Sequence, residues 1–185
     1  MTKFFIFLNK RQSSSSSFYS TRVLFELGSQ SGLLTSLSVD WISGLLYYSY
    51  TDQPFNYIKV TRLPDAELHY TIVTSKQDKP SVLAVNPKLR YLYWIDQGQF
   101  SKLERALLNG SNRSVLLQTE INTPTDLFVD VKTGNLYWSD NTYDRIEMCD
   151  FEGKNRRIIK GEKISFFFNT LQDKFNLLAT KSNQI

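Results

Sequence analysis

The chain has 185 residues, 41% hydrophobic and 14% aromatic, enough apolar content for one packed domain and too much for a chain disordered throughout. Its net charge of +4 comes from Lys and Arg interleaved with Asp and Glu along the whole length, so no basic stripe marks a nucleic-acid surface. No apolar run approaches the roughly 20 residues of a membrane helix, so no direct membrane insertion is expected, and a lone Cys149 excludes an internal disulfide.

Residues 1–32 read as a low-complexity, irregular segment with a partial strand. The apolar stretch Phe4 to Leu8 is shorter than the roughly 7–15 residue centre of a signal peptide, so export is not expected from it. The serine run Ser13 to Ser17 has linker composition.

From residue 33 a unit recurs. "LTSLSVDWISGLLYYSY", "PSVLAVNPKLRYLYWID" and "PTDLFVDVKTGNLYWSD" align so that Tyr47, Tyr93 and Tyr137 fall at steps of 46 and 44 residues, and Val39, Val85 and Val129 repeat those steps. Each unit offers four short strands. In the third they are Asp126 to Asp130, Asn135 to Asp140, Arg145 to Phe151 and Arg156 to Ile159, separated by Gly- or Asn-containing turns. Along Leu136, Tyr137 and Trp138 successive side chains point to opposite faces, yet all are large and apolar, so the strand is covered on both sides. Four-stranded units of this period, each flanked by others, predict an all-β protein of about three antiparallel β-propeller blades, at 33–79, 80–123 and 124–162. The tail, 163–185, fits no blade, although Phe167, Leu171, Phe175 and Leu178 are spaced for an amphipathic helix.

The Tyr-Trp-x-Asp positions Tyr93, Trp94, Asp96 and Tyr137, Trp138, Asp140, with Tyr47 in the first unit, are read as structural. A carboxylate at the end of a covered strand needs hydrogen-bond donors, so Asp96 and Asp140 are expected to accept bonds that tie strands or blades. Here the sequence resembles the Tyr-Trp-Thr-Asp propeller of the low-density lipoprotein receptor family, the class B repeats, over about residues 33 to 162. Its phrases look most like the giant endocytic receptors of that family, such as megalin. The resemblance implies half of a six-bladed propeller on the extracellular side of a membrane receptor, beside EGF-like and other receptor modules. It departs from the pattern in the first unit, where Tyr48 stands for the usual Trp and Tyr50 for the usual Asp, and at Asn86, where Asp is usual.

In an up-and-down blade the links after strands two and four share one face of the disc. This face collects Asp52, Phe55, Tyr57, Phe100, Tyr143 and Asp144, an aromatic and acidic mixture suited to a protein ligand that offers lysine or arginine. The opposite face carries two glycosylation patterns, at Asn109 and Asn112. The single histidine, His69, falls near the end of the third strand of the first unit without a second ligand for a metal, Cys149 reads as a small packed side chain, and pairs such as Glu104 with Asp96 define no site. No cofactor, metal or catalytic residue is expected. The function expected is a non-enzymatic module binding lipoprotein or other endocytic cargo. The alternatives are a calcium-dependent propeller hydrolase and a truncated product that self-associates through open blade flanks.

Overall fold

The computed structural model describes residues 3–6, 22–26, 32–63 and 68–159; the serine run, the tail from 163 and its helical spacing lie outside them. Two short strands, β1 (Lys3–Ile6) and β2 (Arg22–Glu26), pair antiparallel. Three four-stranded antiparallel meanders follow. The first sheet holds β3 (Leu33–Asp40), β4 (Leu45–Asp52), β5 (Phe55–Arg62) and β6 (His69–Ser75). The second holds β7 (Pro80–Asn86), β8 (Tyr91–Asp96), β9 (Lys102–Leu107) and β10 (Ser114–Leu117). The third holds β11 (Pro124–Asp130), β12 (Asn135–Asp140), β13 (Arg145–Asp150) and β14 (Arg157–Ile159).

The sheets stack through their first strands, with β7 touching both β3 and β11. A shared core between the first and second sheets contains Tyr47, Ile58 and Val73 from one and Leu83, Val85, Leu92 and Trp94 from the other. Between the second and third, Tyr93, Ile95 and Leu103 meet Leu127, Val129, Trp138 and Cys149. Sandwiching explains the unalternating apolar runs: in β8, Leu92 to Asp96 are all buried, because Tyr93 faces one neighbour and Trp94 the other. This is a partial propeller of three blades, in the register that the tyrosine repeat predicts.

The turn after each first strand is closed by the residue at its start. Asp40 Oδ1 accepts from the N–H groups of Ile42 and Ser43, Asn86 Oδ1 from Leu89, and Asp130 Oδ1 from Lys132 and Thr133. Asparagine therefore replaces aspartate without loss of the turn. These turns need one left-handed residue. Gly44 and Gly134 supply it at φ 65° and 79°, while the second sheet places Arg90 there at φ 61°. The strain is offset across the sheet boundary, where the Arg90 guanidinium donates to Asp40 Oδ2 at 2.9 Å and Ser43 Oγ at 2.8 Å.

Candidate protein-binding face

The two motif carboxylates are held as their burial demands. Asp96 is 1% exposed, and its Oδ1 accepts from the backbone N–H of Lys79 at 2.7 Å and of Gly98 at 2.8 Å. Asp140, also 1% exposed, accepts from Asn122, Thr123 and Thr142. Each thus pins the link that enters its sheet to the end of the second strand, which positions the loops of one face. In the first sheet Tyr50 takes this position and stacks on Tyr57, with ring centroids 6.3 Å apart.

A second, charged fastening repeats behind the tryptophans. Glu104 lies opposite Trp94 and Glu147 opposite Trp138, both glutamates buried. Arg113 donates to Glu104 through Nε at 2.7 Å and Nη2 at 2.9 Å, and its guanidinium lies 5.4 Å from the Trp94 ring centroid. Arg156 repeats this on Glu147 at 2.7 and 3.0 Å, 5.5 Å from Trp138, and reaches the carbonyls of Thr119 and Glu120. The paired fork supplies the hydrogen bonds that a buried carboxylate requires.

Sequence spacing missed one further convergence. Asp78, Asp96 and Glu104 bring carboxylate oxygens within 4.8 Å of one another, a group fit in principle to hold a cation. Lys102 already stands there, its Nζ 3.0 Å from Asp78, 3.4 Å from Asp96 and 3.3 Å from Glu104. Burial pushes the Asp96 carboxyl up, against the two backbone donors on it. For Asp78 burial acts the same way but is outweighed by Lys102 and Arg113, and the carboxyl ends well below its ordinary range. The ammonium and guanidinium thus neutralise the cluster from within. The signal that would have found this network is the Glu-to-Arg spacing of nine residues, common to Glu104 with Arg113 and Glu147 with Arg156.

The links after strands two and four lie on one face. Beside the second sheet, along the link that leads to the third, they border an open depression of about 580 Å³ lined by Lys79, Gln97, Phe100, Gln118, Asn122 and Thr123 among others. Phe100 is 75% exposed and Tyr143 40%, the latter with Arg145 over its ring at 4.4 Å. Asp144 is exposed, at φ 46°. Over the first sheet, Phe55 and Tyr57 are half-buried and lean on each other at 6.2 Å, with Lys76 over Phe55 and Lys59 over Tyr57. Asp52 ends β4 beside them. The six aromatic and acidic positions therefore divide into a packed group over the first sheet and projecting rings over the other two.

On the opposite rim Asn109 is exposed in the β9–β10 turn, its Oδ1 accepting from the N–H and Oγ of Ser111, and Asn112 is exposed at φ 56°. His69 corrects the sequence placement: it opens the fourth strand, β6, and its Nδ1 lies 3.0 Å from the Tyr48 hydroxyl. Burial and then Lys59 lower its pKa. Cys149 is fully buried, and burial pushes its thiol up to about 12, which removes it as a nucleophile.

Comparison with known proteins places this geometry. A family model described as low-density lipoprotein receptor repeat class B matches residues 90–131. Low-density lipoprotein receptor-related protein 5 of Mus musculus is 37% identical over 129 residues, covering 69% of this chain and 8% of that protein. Low-density lipoprotein receptor-related protein 5-like protein of Homo sapiens is 30% identical over 132 residues, covering 71% of this chain and 51% of that one. The chain thus spans about half the length of one curated relative and a small share of the other. Among solved structures, a chain of the nidogen/laminin complex superposes with a TM-score of 0.67 at 26% identity, covering 75% of this chain and 51% of that chain. TolB from Acinetobacter baumannii superposes with a TM-score of 0.64 at 8% identity, a likeness of fold alone.

Proposed function

We propose that this chain, a partial propeller whose residues 90–131 match the low-density lipoprotein receptor class B repeat, is a non-catalytic, extracellular protein-binding module that takes its ligand on the loop face above the second and third sheets. The observation that carries this is the pairing of a ring 75% exposed, Phe100, with an open depression of about 580 Å³ lined largely by amide and hydroxyl side chains. An exposed aromatic is a ready anchor, and fixed amides beside it suit the backbone of an extended peptide. Exposed Asp144 and Glu120 add acid near the depression, whereas Asp78 is neutralised by its own cations, so the pull on a basic ligand is weaker than the sequence suggests.

The unit proposed to act is 33–162. Its setting would be the outer side of a receptor that captures endocytic cargo, and Asn109 and Asn112, on the opposite rim, would carry glycan without shading the loops. The test is to pan a displayed peptide library on the immobilised chain and then on a Phe100→Ser, Tyr143→Ser double variant. Loss of the enriched peptides, with an unchanged melting temperature, is the expected result. Equal retention by the variant would remove the binding face from this position.

A further inference from the structure

We infer that the depression beside the second sheet takes an oligosaccharide, a sugar carried by the protein ligand, with Phe100 as the platform on which it stacks. This rests on the loop-face reading above and names the part of the ligand that fills the depression. The site is assembled from the three links around the second sheet. Lys79 comes from the link before β7, Gln97 to Ser101 from the β8–β9 link, and Gln118, Asn122 and Thr123 from the link before β11. Its lining holds four side-chain amides, Gln97, Gln99, Gln118 and Asn122, and two hydroxyls, Ser101 and Thr123, but no carboxylate.

The backbone bordering the depression is already bonded within the chain. The N–H groups of Lys79 and Gly98 go to Asp96, those of Asn122 and Thr123 go to Asp140, and that of Gln97 goes to the carbonyl of Lys79. The carbonyls of Asn122, Thr123 and Pro124 accept from Ser101 Oγ, the Asn141 N–H and Gln97 Nε2. A peptide that adds itself to a strand edge needs such groups unbonded, so main-chain pairing finds few partners here. What remains is side-chain chemistry. An amide presents a donor and an acceptor side by side, which matches neighbouring hydroxyls of a sugar, each of them donor and acceptor at once. Gln97 is set in advance: Pro124 O holds its Nε2 at 2.6 Å, which leaves Oε1 as an acceptor with a fixed direction.

A sugar also has an apolar side, where its C–H bonds point together, and that side stacks on a flat ring. Most rings of the loop face are covered: Arg145 lies over Tyr143, Lys76 over Phe55 and Lys59 over Tyr57. Phe100, 75% exposed at the rim of the depression, carries no such cation among the described residues. The openness of the site agrees with this ligand. Sites for apolar small molecules are enclosed and apolar, whereas a sugar keeps water on its outer side and exchanges hydroxyl for water on the inner one. Lys79, the one charged lining group, adds donors, and no lining acid repels an acidic sugar.

The test is an array of immobilised N- and O-linked oligosaccharides, probed with the full chain made without glycans of its own. A group of oligosaccharides sharing one terminal sugar should be retained, and released by that sugar in solution. Phe100→Leu keeps apolar bulk but loses the flat face, so it should weaken sugar retention about tenfold while still holding the peptides panned above. Phe100→Trp should retain the sugar at least as well as the parent, and Gln118→Ala, on a different link, should weaken retention severalfold. Both positions are exposed, so all three variants should keep the parental melting temperature. No retained oligosaccharide, retention that follows glycan charge alone and vanishes in salt, or equal retention by Phe100→Leu overturns the inference. Peptides captured without sugars sink the sugar site alone, and sugars captured without peptides sink the peptide reading alone.

Discussion

Where Trp94 and Trp138 lie beneath an arginine that clasps a buried glutamate, the first sheet has Tyr48 beside His69, with Lys59 in the glutamate's place. The backbone register is the same in all three: Tyr48 pairs Lys59 as Trp94 pairs Glu104 and Trp138 pairs Glu147. A tyrosine hydroxyl reaches the fourth strand directly, so no charged pair is needed, and Lys59 instead lies over the Tyr50 and Tyr57 rings at 5.4 and 4.9 Å. Apolar register is what all blades share. The polar fastening can be exchanged as a set, provided that each buried group keeps a partner.

The widest gap between the two designs should open at the fifth-strand and ninth-strand equivalents. Glu104→Ala takes the two-bond buried acceptor from Arg113, which keeps only Asp78, and is expected to cost about 3 kcal/mol in a urea melt. Lys59→Ala, at the matching place, should cost under about 1 kcal/mol. Equal losses would mean that the clamp is no different from the tyrosine design.

The boundary between the two kinds of sheet gives smaller effects. Arg90→Ala keeps an L-residue at φ 61° and removes the bond to Asp40, so about 1–2 kcal/mol should be lost. Arg90→Gly also removes the bond but relieves the backbone and should recover about 1 kcal/mol of that. If glycine were the worse of the two, strain would not be the term being offset. Ser36→Ala should cost about 1 kcal/mol by orphaning the Leu83 N–H, seen as a faster exchange of that one amide.

Acid titration should separate the designs with the least change in stability. His69 has a lowered folded pKa, so protonation favours the unfolded chain, and stability should fall as pH drops through about 6.5. Asp78 also has a lowered folded pKa, but as an acid its contribution is complete above about 4 and lost below it. His69→Gln should flatten the upper window of a melting-temperature profile and Asp78→Asn the lower one. A single transition common to both variants would contradict the assignment.

Much of this was readable in the sequence, and the part that was not has a physical reason. The tyrosine series and the carboxylates at Asp96 and Asp140 were legible because they follow strand periodicity, and their backbone donors follow from burial. The arginine–glutamate clamp was not, since Glu104 lies on β9 and Arg113 in the turn before β10, and the two look like ordinary surface charges until β10 pairs with β9. His69 was set on the wrong strand because Tyr48, its partner, is 21 residues away and the local pattern gives no sign of it. For the loop rings, composition could not tell Tyr57, packed on Tyr50, from Phe100, which projects.

The hydroxyl-to-amide contacts between the first two sheets have an evolutionary consequence. In the bonds from Leu83 and Val85 to Ser36 and Ser38 the donor is the peptide group itself, present whatever residue occupies the position. A gene segment encoding one blade can be copied beside another and find half of its mortar already in place. The Arg90 to Asp40 contact offers no such freedom, because it demands two matched codons. A copied blade can therefore dock before its ion pairs are matched, and the hydroxyls are dispensable in turn, since β7 carries Val82 and Ala84 where β3 carries Ser36 and Ser38.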